Sequence, residues 1–329
     1  MKKFINDPAA ITAEMLEGLA LAYPDIVALE QGNLVVNKKL PSADRVTIVA
    51  LGGTGHEPAP VGFVGEGMVD IAVAGDVFAS PGPQACLEAV KMAERGHGVL
   101  LIVLNHTGDM LTGNIVMQLA LKQGINVQKV VVQDDISEAD KEHAGERRGL
   151  AGCVPLYKIA GAAAAAGKSL TEVAAAAQRF ADNMASLAVA AAGFVHPVTG
   201  SEMVHIEEGA VLMGVGADGE GGILQPMEPA ALTVGKMLEA LLQDLEVQSG
   251  EKLLVIVSGS GATTLMEQLI VFRSCCHYLA DKGIEAAAGK VGAMFTVQEM
   301  SGFQLFIARM DDELMQYWQA PCRTPYYNN

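Results

Sequence analysis

Four short, mostly apolar runs shape the first 135 residues, and each ends in a glycine or polar loop. They are Val46–Leu51 (VTIVAL, running into Gly52-Gly53), Val69–Ala74, Gly98–Leu104 (GVLLIVL) and Val127–Gln133 (VQKVVVQ). Runs of this length without apolar/polar alternation need cover on both faces, so they read as strands of a sheet sandwiched by helices. A helical stretch over Asn114–Leu121, closed by Gly124, lies between the third and fourth and fits that scheme. The second half repeats the alternation less regularly. Residues 154–193 are Ala-rich and read as helical, and Gly193–Gly200 (GFVHPVTG) reads as a connection. Strands are expected over Glu202–Ile206, Leu253–Val257, Gly289–Met294 and Phe303–Arg309, with a helix after Gly259/Gly261 and a short one over Asp311–Gln319. The expectation is therefore two α/β domains, 1–185 and 186–329, each a mixed or largely parallel sheet covered by helices. A length of 329 residues suits two domains of ordinary size.

Composition narrows the partners. Half of the residues are hydrophobic and 18% are charged, which excludes a disordered chain. The net charge of −16 repels phosphate backbones and anionic headgroups, so neither nucleic acid nor a membrane surface is an expected partner. The start, MKKFINDPAAITAEM, meets Asp7, Pro8 and Glu14 too early for a signal-peptide core. The five cysteines include no Cys-x-x-Cys pair and read as reduced thiols, and a cytoplasmic location is expected. No zinc motif is present, and no metal ligand is expected.

One motif imitates a nucleotide site. Gly161-AAAAA-Gly167-Lys168-Ser169 resembles a phosphate loop, but its first glycine is one residue too distant and helices flank it on both sides. Gly167 instead reads as the residue ending one helix, with Ser169 and Glu172 forming a capping box for the next.

The loops after the strands carry the candidate chemistry. Gly52-Gly53-Thr54-Gly55-His56-Glu57-Pro58 exposes amide donors and one imidazole where α/β sheets place ligand crevices. A turn histidine bonded only to backbone is the alternative. Asn105-His106-Thr107-Gly108-Asp109 follows the third strand, and Asp109 is either a helix cap or a carboxylate partner to His56. Phe78-Ala79-Ser80-Pro81 offers a hydroxyl, and Gly214–Gly222 is a glycine-rich loop with Asp218 at its tip. His97, His143 and His277 read as structural, and His205 as a strand residue.

Taken in order, GGTGHEP, FASPGP, NHTGD, GERRGLAG, GVGADGEGG, SGATTL and the final MSGFQLFIARMDDELMQYWQAP resemble the substrate-binding (K) subunit family of dihydroxyacetone kinases along essentially the whole chain. The resemblance implies a homodimer with a triose pocket. It also implies no cofactor in this chain: nucleotide and magnesium would sit on a separate L subunit, recharged in some members by an M subunit of the sugar phosphotransferase system. By the same resemblance His56 and Asp109 are the acid/base pair, while Gly53 and Ser80 contact substrate. The alternative within the family is a ligand-sensing coactivator. Two positions depart from the pattern. Asp218 replaces a histidine that captures the substrate ketone as a hemiaminal, and Leu104 replaces a lysine. A carboxylate has no ring nitrogen to add to a carbonyl, so Asp218 implies reversible binding.

Overall fold

In a computed structural model, which describes residues 3–31 and 33–329, the chain builds two six-stranded mixed sheets covered by helices. The first half runs α1 (Ile11–Ala22), β1 (Val27–Glu30), β2 (Leu34–Asn37), β3 (Thr47–Thr54), β4 (Ile71–Val77), α2 (Pro83–Ala93), β5 (Val99–Leu104), α3 (Thr107–Lys122) and β6 (Val127–Val132). Its sheet has the order β1-β2-β4-β3-β5-β6. β4, β3, β5 and β6 are parallel, and β1 and β2 add an antiparallel edge. Because β4, β3 and β5 are parallel neighbours, the loops leaving their C-terminal ends lie side by side. Three loops far apart in sequence are thus delivered to one place.

Side-chain alternation explains why these strands are apolar throughout. Ile48, Ala50, Leu100 and Ile102 point into one core, while Val49, Leu51, Leu101 and Val103 point into another under α2 and α3. The first of these cores also takes in α4 (Cys153–Ala165) and α5 (Leu170–Ala181) and reaches the second sheet. Ser169 and Glu172 do form a capping box at the start of α5, and Gly167 sits at φ +75° between the helices, a turn that a side chain would strain. The phosphate-loop look-alike is a helix–turn–helix.

The second sheet, β11-β10-β12-β7-β8-β9, comprises β7 (Met184–Ala192), β8 (Ala210–Met213), β9 (Ile223–Pro226), β10 (Lys252–Gly259), β11 (Glu285–Gly292) and β12 (Ser301–Arg309). Only β10 and β11 pair in parallel; the other neighbours are antiparallel. α6 (Ala230–Asp244) and α7 (Leu265–Asp281) cover its outer face, and α8 (Asp312–Gln319) packs into the core on the inner side. Two expectations are corrected. Residues 184–192, expected to be helical, form β7 between β12 and β8. Alanine favours helix, and here the two strand partners and burial on both faces override that preference. Residues 202–206 form no strand; Glu202 makes a single bridge to Val195, and His205 lies exposed beside Glu202. The expected domain division at residue 186 falls within β7, between Met184 and Ala188 of the shared core. No helix of the described residues is long and apolar enough to cross a membrane.

Candidate active site

The loops after β3, β4 and β5 enclose a cavity of about 790 Å³ whose walls include Gly53, His56, Ser80, Asp109 and Asp218. All five candidates read from the sequence are therefore brought together. Gly53 is needed for the approach itself: a Cβ there would lie 2.8 Å from the Ala79 nitrogen.

His56 is held from the other half of the chain. Its Nδ1 contacts the Thr296 carbonyl at 3.0 Å, and its ring stacks on Phe295 with centroids 4.7 Å apart and 11° between planes. Thr296 also donates its hydroxyl to the Glu57 carbonyl at 2.8 Å, and Glu57 accepts the Gly55 N–H at 3.0 Å. A carbonyl only accepts, so in the neutral ring Nδ1 carries the proton and Nε2 a free lone pair. Desolvation pushes the imidazole down to about 4, against the Thr296 carbonyl and helped by the nearby His106. At neutral pH His56 is accordingly an unprotonated base. Its Nε2 lies 3.6 Å from Asp218 Oδ1, close in charge terms but too long for a hydrogen bond.

Asp109 is not a helix cap. Its backbone lies in the first turn of α3, behind the N-cap residue His106, and its side chain is buried. Burial raises its carboxyl above the usual carboxylate range, opposed by the neighbouring Ser80 hydroxyl and by His106. Asp218 is pushed up to about 6, by burial first and by Glu220 second. The carboxylates of Asp109, Asp218 and Glu220 thus share this space with the imidazoles of His56 and His106.

Several residues of the site were assigned no role from the sequence. His106 lines the cavity and is anchored by its Nε2 to the Gly149 carbonyl at 2.8 Å. Arg148 donates to the carbonyls of Gly214 and Glu220, each at 3.0 Å, and so ties down both ends of the Asp218 loop. Glu220 in turn accepts the Asp218 N–H at 2.9 Å. Phe295 and Thr296 arrive from 240 residues away and Tyr157 from the apolar face of α4, so no spacing rule could have gathered them. The GERRGLAG run was the one available signal for Arg148. Among the described residues no group of three His, Cys, Asp or Glu side chains is placed to hold a metal ion.

Residues 17–326 match the model of the Dak1 domain. The chain belongs to the Dak1 family. Among Dak1 relatives, the dihydroxyacetone-binding subunit DhaK of PTS-dependent dihydroxyacetone kinase 1 from Listeria innocua is 36% identical over 314 residues, 95% of each chain. The L-erythrulose 1-kinase of Mycolicibacterium smegmatis is 33% identical over 332 residues, 99% of this chain and 58% of that longer one. Among solved structures, the dihydroxyacetone kinase operon co-activator DhaQ superposes with a TM-score of 0.89 at 30% identity, covering 95% of this chain and 97% of the other. Kinase subunits and a coactivator thus share this Dak1 fold.

Proposed function

We propose that the chain is the sugar-binding subunit of a dihydroxyacetone-kinase-type phosphotransferase. It would present a terminal hydroxyl of dihydroxyacetone, or of a related small sugar or polyol, to a phosphoryl donor held by a separate nucleotide-binding subunit. The observation that carries this reading is the free lone pair of His56 Nε2 inside a cavity walled by Asp109 and Asp218. That nitrogen takes the hydroxyl proton as the oxygen attacks phosphorus, and Asp109 and Asp218 orient the ligand by accepting its other hydroxyls. Nucleotide and magnesium belong to the partner subunit in this reading, in keeping with the helix–turn–helix that replaces the only phosphate-loop candidate. The purified chain is expected to bind no ATP at micromolar concentration; calorimetry checks this. Turnover in a coupled assay with its cognate nucleotide-binding subunit, across trioses, tetroses and their polyols, tests the whole reading.

A coactivator role is favoured by one observation, the likeness to DhaQ. It predicts ligand binding without turnover in that same assay, and a gain of affinity for a transcription regulator once ligand is bound.

Asp218 makes binding reversible. Dihydroxyacetone is expected to leave no added mass on the intact protein, whereas Asp218→His should raise affinity for it and permit an adduct. Mass spectrometry of both proteins after incubation decides; covalent sugar at this loop in the unmutated chain would contradict the reading.

A homodimer is part of the proposal. Leu265, Met266, Leu269 and Ile270 of α7 lie exposed, as do Ile223 and Leu224 of the edge strand β9. An exposed apolar stripe such as the one along α7 marks a protein–protein contact. Leu269→Glu should shift the chain towards monomer in sedimentation experiments.

A further inference from the structure

Phe78 lines the cavity and stands in a backbone conformation that its own side chain opposes. It is the third residue of the turn Asp76–Ala79, closed by the Ala79 N–H on the Asp76 carbonyl at 3.0 Å, and its φ is +56°. Glycine or asparagine ordinarily fills such a place, and a bulky residue persists there only where surrounding contacts hold it. Nothing in the turn itself calls for an aromatic ring. The reason for one lies in what the ring touches.

The ring packs over Gly55, where a Cβ would lie 2.7 Å from Phe78 Cε1. Its centroid is 5.2 Å from that of the next residue, His56. Phe194 and His196, from the second half of the chain, meet it edge-on at 5.5 Å each, a favoured arrangement of aromatic pairs. Phe194 also lies under the Asp218 loop, where a Cβ on Gly219 would come 3.1 Å from its Cε1. His56 itself has a single hydrogen bond, from Nδ1 to Thr296, and one bond leaves a ring free to swing about it. Phe295 stacks on the imidazole, and Phe78 adds the second aromatic contact. We propose that Phe78 is a positioning residue for His56: its ring, braced by Phe194 and His196, keeps the imidazole seated on Thr296 with Nε2 turned into the cavity. The strained turn is kept because only this backbone delivers the ring there. The inference rests on reading His56 as the base, and deepens it.

Two variants test it. Phe78→Gly removes the ring and relieves the turn; Phe78→Leu keeps apolar bulk but no aromatic face. The His56 Cε1 proton, followed by NMR against pH in the ligand-free chain, reports the ring directly. Its midpoint, about 4 in the parent, should rise by ~1 pH unit as water reaches the imidazole, while the Thr296 carbonyl, His106 and Asp218 around it stay the same. With the nucleotide-binding subunit present, kcat should fall about tenfold in both variants with KM nearly unchanged, the mark of a misplaced catalytic group. A His56 midpoint unmoved in Phe78→Gly, or kcat unchanged in both variants, would show that the ring only fills space and would overturn the proposal. Should Phe78→Gly fail to fold, Phe78→Leu gives the same reading. A parent chain that transfers no phosphate, but whose His56 midpoint moves in the variants, would sink the kinase reading and leave the positioning role standing.

Discussion

Replacing His56 by alanine is expected to lower phosphoryl transfer by ~10²–10⁴-fold with the partner subunit present, the usual worth of a positioned general base. Because the ring is packed against Phe295 and Phe78, alanine also removes packing. His56→Gln, which retains more bulk, should lose the same activity while melting closer to the parent. The acid side of the rate profile separates the base from its neighbour. Asp218, held up to about 6, takes a proton first as pH falls and then no longer accepts ligand hydroxyls as a carboxylate. His56 follows only at about 4. kcat/KM should fall as pH drops through the Asp218 value, and Asp218→Asn should move that limb down towards the His56 value. Turnover in His56→Gln within tenfold of the parent would remove Nε2 from the role of base. Stability carries the opposite sign at the two groups. The His56 value lies below its unfolded value, so the native state loses stability as pH falls between the unfolded value of 6.5 and about 4. The Asp218 value lies above its unfolded value, so its contribution improves as pH falls from about 6 towards 3.8.

The parts of the site legible in the sequence are those in which one short segment does the whole job. VTIVALGGTGH is a buried strand followed by a loop, and each half needs only local chemistry: apolar side chains on both faces, then glycine where the Ala79 backbone comes close. The Ser169–Glu172 capping box is equally local. Residues 184–192 were illegible because alanine favours helix, and only pairing with β12 and β8, which lie far off in sequence, overrides that preference. His56 was legible as a residue, but its tautomer was not, since Thr296 fixes it from β11's side of the second half. Long-range placement, rather than residue type, is the missing information in each case.

Arg148 is the place where that long-range placement carries the largest energetic stake. Its guanidinium lies within 2.8 Å of Asp135, 2.9 Å of Glu138 and 3.2 Å of Glu220, so one cation balances three carboxylates. Asp135 is entirely buried, whereas the two glutamates are half exposed and can turn to water. Removing the cation therefore strands one charge rather than three. Arg148→Met should cost about 3–5 kcal/mol, the penalty of an uncompensated buried charge, read as a lower denaturation midpoint. Burial raises the Asp135 carboxyl and Arg148 is the first influence opposing that rise, so the variant's carboxyl should climb further. A folded value above the unfolded one favours the native state as pH falls, and the deficit of Arg148→Met should shrink in acid. Charge balance and loop placement can then be separated. Adding Asp135→Asn to Arg148→Met removes the stranded charge and should restore most of the stability. It cannot restore the bonds to the Gly214 and Glu220 carbonyls, so the Asp218 loop stays untethered and sugar affinity stays low. Recovery of both stability and affinity in the double variant would mean that Arg148 serves only to neutralise Asp135, and that the loop holds its shape without it.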